Sequence, residues 1–175
     1  AHLSTACKAP AVDEAMEALM RQWQATWDLN HGGRLGAPKF PLPAQASFLL
    51  RWSQQPGAPL NKEARSHALR TLEGIEQGGI HDHVGGGFAR YSVDGAWHVP
   101  HFEKMLYDNG QMLVALADPH QVEARATWVR AMEGTVDWIL SEMDRASGGF
   151  HAAMDADSDG SEGAYYVWRD EDLVQ

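Results

Sequence analysis

The densest collection of groups able to do chemistry lies between Gly78 and Asn109, in the stretch GGIHDHVGGGFARYSVDGAWHVPHFEKMLYDN. It gathers His81, His83, His98 and His101 with Asp82, Asp94, Glu103 and Asp108. Imidazoles exchange protons near neutral pH, and a neighbouring carboxylate fixes which nitrogen carries the proton. The set therefore suits general acid-base work on a bound molecule. His98 and His101, three residues apart at an expected helix start, form the leading pair, with Glu103 near enough in sequence to orient a ring. The same histidines can instead cap helices and bond loop carbonyls. Zinc is a third reading, since His81-x-His83 and His98-x-x-His101 offer nitrogen donors that a carboxylate can complete. No HExxH helix accompanies them, and the expectation is no metal and no cofactor.

Around this core stand residues suited to holding a ligand. Arg90 and Tyr91 follow the triple glycine Gly85 to Gly87 and can bind an oxyanion or stack on a ring, while His83 and Trp97 add a polar contact and an apolar face. Lys39 and Lys104 are further polar groups, read first as partners for the acidic excess. In DADSDGSEG, Asp155, Asp157, Asp159 and Gly160 copy the opening of a calcium-binding EF-hand loop, but Tyr166 stands where its bidentate Glu belongs. Calcium, a solvated acidic turn, and substrate contact by Asp155 or Asp157 remain the alternatives. Asp94 and Asp155 are the pair that glycoside hydrolysis would need. The triple glycine lacks the GxGxxG order, no GxSxG is present, and Cys7 stands alone near the start.

The elements that must position these groups are mainly helices. Apolar residues at helical spacing predict a helix over 12–28, a second over about 44–55, and a third from Asn61 to the stop at Gly78 and Gly79. A fourth is expected to start near His101 with a kink at Asn109 and Gly110, and a fifth to run from Pro119 to Gly148. A short β-hairpin is expected over 150–168, and Asp170 can cap another helix. Gly-Gly pairs at 32–33, 78–79 and 148–149 follow helices, a pattern that consecutive helical hairpins explain.

Composition narrows the partners. A net charge of −10 and few clustered cations argue against nucleic acid and anionic membranes. No apolar run approaches the roughly 20 residues that span a bilayer. One cysteine cannot make an intrachain disulfide, so a cytoplasmic location is expected. Seven tryptophans suit core packing and the flat faces of sugars.

Three stretches, GAPKFPLP, the glycine- and histidine-rich stretch quoted above, and GGFHAAMDADSDGSEGAYYVW, occur in one order that resembles the family named for spermatogenesis-associated protein 20. Its bacterial members are often labelled thioredoxin-domain proteins. Departures are Arg34 and Leu35, where Phe-Gly is usual, and Gly110, where Ala is usual. The resemblance implies helical hairpins forming part of an (α/α)6 toroid, similar to N-acylglucosamine 2-epimerases and six-hairpin glycosidases, with short β-hairpins in the loops. It implies one partial toroid domain over 1–175, with a thioredoxin-like domain and later hairpins outside this chain. Carbohydrate chemistry follows by analogy of fold: an epimerase-like or isomerase-like activity on a sugar-like small molecule ahead of a glycosidase-like one. A non-catalytic scaffold serving a thioredoxin-like partner is the alternative.

Overall fold

The computed structural model describes residues 9–120, 123–158 and 160–173. Among them are helices α1 Ala9–Gln24, α2 Pro43–Ser53, α3 Asn61–Gln77, α4 Leu106–His120 and α5 Ala126–Glu142. The loops carry antiparallel two-residue strands: β1 Tyr91–Ser92 pairs β2 Pro100–His101, β3 Lys104–Met105 pairs β4 Ala153–Met154, and β5 Asp157–Ser158 pairs β6 Ser161–Glu162. Helix α2 packs on α3 and α4, and α4 packs on α5. Ala46, Ala64, Ala68 and Ala115 are buried in this core, where Leu72, Leu116 and Trp128 fill the remaining space. No helix is long and apolar enough to cross a membrane among the described residues.

Several sequence expectations shift. The first helix ends at Gln24, because Trp27 is buried and bridges Arg34 while Asp28 closes a turn. The fourth starts at Leu106 rather than near His101, because the backbone of 100–105 is spent on strand pairing. Asn109 falls in the first turn of α4, where its buried amide accepts from Phe88 N at 2.7 Å and donates to Phe88 O at 3.0 Å, pinning the preceding loop to the helix. Residues 153–154 pair with β3 rather than closing a 150–168 hairpin, of which only β5–β6 forms. Asp170 opens a single 3-10 turn, Asp170–Leu173.

A repeated turn lies behind the Gly-Gly pattern. At Asp28, Oδ1 accepts from the N–H groups of Asn30 and His31, Gly32 N donates to Asp28 O, and Asp28 N donates to Gly33 O. Lys39 Nζ then donates to Asp28 Oδ2 at 2.6 Å and Gly32 O at 3.0 Å, its ammonium 5.2 Å from the Trp97 ring centre. At Asp82 every one of these contacts recurs: Oδ1 accepts from Val84 and Gly85, Gly86 N meets Asp82 O, and Asp82 N meets Gly87 O. Lys104 Nζ reaches Asp82 Oδ2 at 2.8 Å and Gly86 O at 2.7 Å, 5.2 Å from the Trp138 ring centre. The second copy is thus Gly86–Gly87, not Gly78–Gly79; both of its glycines have positive φ, whereas Gly78 is extended. A Cβ on Gly86 would sit 2.1 Å from Gly134 O in α5, and one on Gly32 would sit 2.4 Å from Thr71 Cα in α3, so each turn seats against the next hairpin's helix. The backbone at each lysine also pairs with the following loop, Lys39 with Ser92 in an isolated bridge and Lys104 with Met154 in β3–β4. Asp144, Gly148 and Gly149 repeat the residues a third time, but 150–175 contains no lysine.

Because the Lys39 ammonium is fully buried beside Asp28, removing it leaves a carboxylate without its partner. Lys39→Met is expected to lower the unfolding free energy in urea by about 3–5 kcal/mol, and Lys39→Met with Asp28→Asn to recover part of it. A loss under about 1 kcal/mol for the single variant would show the pair to be dispensable.

His67 supplies a pH test. Its ring lies parallel to Trp27 with centres 4.4 Å apart, Nδ1 is buried without a partner, and burial pushes its pKa down to about 4. An unfolded His67 takes up its proton near 6.5, so stability falls as pH drops from about 6.5 towards 4 and this contribution then levels off. The lowered carboxyls of Asp28 and Asp82 act below that window, their lysines and main-chain N–H groups prevailing over the opposing effect of burial. His67→Phe should flatten the fall by at most about 3 kcal/mol, measured as urea midpoints against pH. An unchanged slope would contradict the assignment.

Candidate functional site

A cleft of about 600 Å³ opens where the 79–85 turn, residues 100–104 and the 165–168 segment meet. His81, Asp82 and His83 line one side, Phe102 and Lys104 another, and Tyr165, Tyr166 and Trp168 form an aromatic wall. Two close approaches build it. Gly79 N donates to Trp97 O at 2.7 Å, and a Cβ there would fall 2.0 Å from His98 O. Gly163, at φ 73°, lies so close to Phe102 that a Cβ would meet the ring at 2.4 Å, and Tyr166 follows, stacked on Phe102 at 5.2 Å.

The two cleft histidines have defined tautomers. His81 Nδ1 is 2.8 Å from Glu76 O, and a carbonyl only accepts, so Nδ1 carries the proton and Nε2 keeps its lone pair. Burial lowers the His81 pKa, opposed by that bond, so the ring is neutral at neutral pH. His83 Nε2 lies 3.2 Å from Gly78 O by the same logic, leaving Nδ1 as the acceptor. The two rings sit 4.3 Å apart, with His81 stacked on Phe88 at 4.7 Å. Below them, burial pulls the Lys104 ammonium down from its ordinary value against the support of Asp82. Its charge lies 5.0 Å from the Tyr166 ring centre, and burial, with the Asp82 charge, pushes the Tyr166 phenol up to about 12.

Four of the other expected residues converge elsewhere. Arg90 Nη1 donates to Glu103 Oε2 at 2.9 Å, His101 Nδ1 meets Glu162 Oε1 at 2.7 Å, and His101 Nε2 lies 3.8 Å from Glu103. Tyr91 stacks on His101 at 4.7 Å. Asp108 joins this set, its carboxyl raised by burial, with Arg90 lowering it and Glu103 raising it. The cluster fastens β1 and β2 to the 157–162 hairpin and lies outside the cleft lining.

His98 and Asp94 join neither group. His98 is exposed on a turn, not on a helix beside His101. Asp94 accepts from Ala96 N at 2.6 Å, His98 N at 3.2 Å and Val99 N at 2.6 Å, and these bonds keep it ionised against the opposing effect of burial. That carboxylate holds a turn and is unsuited to proton donation. Trp97 is corrected outright: it is fully buried, its Nε1 donates to His31 O at 2.7 Å, and no face is left for a ligand. Asp155 is exposed and accepts from Asp157 N, while Asp157 lies exposed in β5. Asp159 lies outside the described residues, and the acidic run is flanked by strands rather than the helices of an EF-hand. Among the described residues no three His, Cys, Asp or Glu side chains are placed to hold a metal. Lys39 and Lys104 are ion-paired as first read, though buried rather than solvated.

The wall of Tyr165, Tyr166 and Trp168 is absent from the sequence expectations. Its signal is the aromatic run just after Gly163 in a polar loop, which alternation makes look like a strand.

No family model matches the chain. Spermatogenesis-associated protein 20 of Homo sapiens is 39% identical over 173 residues, 95% of this chain and 22% of that protein. An uncharacterised Caenorhabditis elegans protein is 36% identical over 172 residues, 93% of this chain and 24% of the relative. Among solved structures, a sugar epimerase from a ruminal bacterium superposes with a TM-score of 0.62 at 16% identity, over 83% of this chain and 40% of that one. Cellobiose 2-epimerase from Spirochaeta thermophila gives 0.58 at 22% identity, over 86% and 42%. Such identities establish the shared architecture and leave the reaction open. The chain thus folds as part of an (α/α)6 toroid and belongs to the spermatogenesis-associated protein 20 family, spanning about a fifth of the length of the curated relatives it matches.

Proposed function

We propose that the cleft takes a carbohydrate-like small molecule and that His81, beside His83, exchanges a proton with it in an epimerase-like or isomerase-like reaction. The observation that carries this reading is the pair of imidazoles whose outer nitrogens keep their lone pairs opposite an aromatic wall. A base of this kind takes a proton from a carbon next to a carbonyl. The C–H electron pair becomes the C=C bond of an enolate as the carbonyl π pair moves onto oxygen; a proton returned by His81 to the same face reverses the step, and one delivered by water to the opposite face as the C=O reforms epimerises the carbon. The aromatic wall suits the apolar face of a sugar ring. The likeness of the fold to sugar epimerases points the same way.

Hydrolysis is less well served, since it calls for two carboxylates flanking a bond. Among the described residues Asp82 is the one carboxylate in the cleft lining, and both its oxygens are taken.

Incubating the protein with N-acyl sugars and cellobiose in heavy water should place deuterium at the carbon next to the carbonyl. His81→Ala should slow this exchange by about 100-fold or more, and His98→Ala should leave it unchanged. Saturable binding with no exchange would leave a scaffold and remove the enzyme; new reducing ends would favour hydrolysis.

The exchange also has a pH signature. His81 acts with its lone pair free, and its pKa lies below 6.5, so the rate should stay level through neutral pH and fall in acid below that value. An acid limb centred above 6.5 would assign the base to another group.

A further inference from the structure

From the disposition of charge and hydrogen-bonding atoms in the cleft, we infer that its ligand is a hydroxyl-rich molecule bearing no phosphate or carboxylate, held by a hydroxyl that donates to His83 Nδ1 while His81 Nε2 is left to the reacting C–H. The inference rests on the reading of the cleft as a carbohydrate-like site and specifies which members of that class it admits.

The charged groups of the lining are already committed. Asp82 and Lys104 are paired at 2.8 Å, Asp82 Oδ1 takes two main-chain N–H groups, and Lys104 also donates to Gly86 O. The remaining flank of the ammonium lies between the rings of Trp138 and Tyr166, at 5.2 and 5.0 Å, and the lysine is buried. Of the nearby guanidiniums, Arg90 is bound to Glu103 away from the cleft, and Arg169, next to Trp168, is exposed outside the lining with Glu171 3.7 Å away. Among the described residues the lining therefore offers no free cation to a phosphate or carboxylate.

The uncommitted polar atoms point the same way. His81 and His83 each spend their N–H on a main-chain carbonyl, so what they turn to a ligand are lone pairs. An anionic oxygen only accepts hydrogen bonds; the two lone pairs turn it away, and the donors left to it, the Tyr165 hydroxyl and the Trp168 indole N–H at the exposed rim, carry no charge to balance the hydration it gives up. A hydroxyl donates, so a ring hydroxyl can satisfy His83 while the neighbouring C–H meets His81 and the ring lies on the aromatic wall. This selection is local, so it should survive salt. A purely long-range effect of the net charge of −10 would fade once the screening length falls to a few ångströms at about 1 M.

The test is calorimetric titration of the protein with neutral hexoses and disaccharides beside the 6-phosphate and uronate of the same sugars, at about 0.15 M and about 1 M salt. Neutral sugars are expected to bind at least about ten-fold tighter than their anionic counterparts at both salt concentrations. Val84 lines the cleft and is 89% exposed, so Val84→Arg adds a cation at the rim without disturbing the core. It should raise affinity for the 6-phosphate several-fold relative to its neutral parent. A 6-phosphate or uronate that binds as tightly as its neutral parent overturns the inference while sparing the carbohydrate reading. Selectivity that vanishes in high salt also overturns it. Failure of every sugar, neutral and anionic, defeats both together.

Discussion

A buried lysine closing an Asp-x-x-x-Gly-Gly turn is the interaction on which the rest of this structure depends. The turn by itself is an expensive object: two glycines at positive φ, several N–H groups converging on one carboxylate, and a carbonyl turned inward. Burying that carboxylate is tolerable because the ammonium arrives with it, donating to the same carboxylate and to the inward carbonyl. Once closed, the turn is compact enough for its glycines to lie against the backbone of the next hairpin's helix, at Thr71 in one copy and Gly134 in the other. Lysine, turn and neighbouring helix thus form one joint, and it is built twice.

The second joint doubles as the floor of the cleft, which limits the chemistry available there. Asp82 and Lys104 line the cleft, yet each is consumed in holding the turn closed. What remains reactive is the pair of histidines on either side of Asp82 in sequence, His81 and His83. Their orientation comes from the same turn: His81 bridges Phe88 across it, and both rings reach back to the main chain where α3 ends. The joint therefore sets the tautomers indirectly, by deciding where residues 81 and 83 emerge.

The helices were legible from periodicity because their buried alanines and leucines recur on one stripe, and the family from three motifs in order. The joints were only half legible. Gly-Gly pairs stand out in any sequence, but Gly78–Gly79 looks the same as Gly86–Gly87 until φ is known and Asp28 is seen to match Asp82. The lysines were less visible still, since Lys39 follows its aspartate closely and Lys104 lies beyond a whole β-hairpin. The site suffered in the same way. His98 and His101 looked like one face of a helix, but the strands of 100–105 pair across loops, a long-range interaction that local spacing does not encode. Trp97 looked like a stacking platform because a tryptophan in a glycine-rich loop is as compatible with a ligand as with the lysine it covers.

That last ambiguity explains why the cleft of about 600 Å³ lies at one joint and only a smaller hollow of about 240 Å³ borders the other. In both, an aromatic side chain from the following loop comes to rest over the lysine: Trp97 over Lys39, and Tyr166 over Lys104. At the first joint the indole is held by Gly33, Gly74 and the carbonyl of His31, and its burial is complete, so the space is filled. At the second, Trp138 from α5 already occupies one flank of the ammonium, and the loop aromatic settles on Phe102 instead of descending into the core. Tyr165 and Trp168 are left exposed around the gap. The same joint is therefore sealed by a tryptophan in one copy and roofed incompletely by a tyrosine in the next, and the volume left under that roof is where His81 and His83 meet solvent.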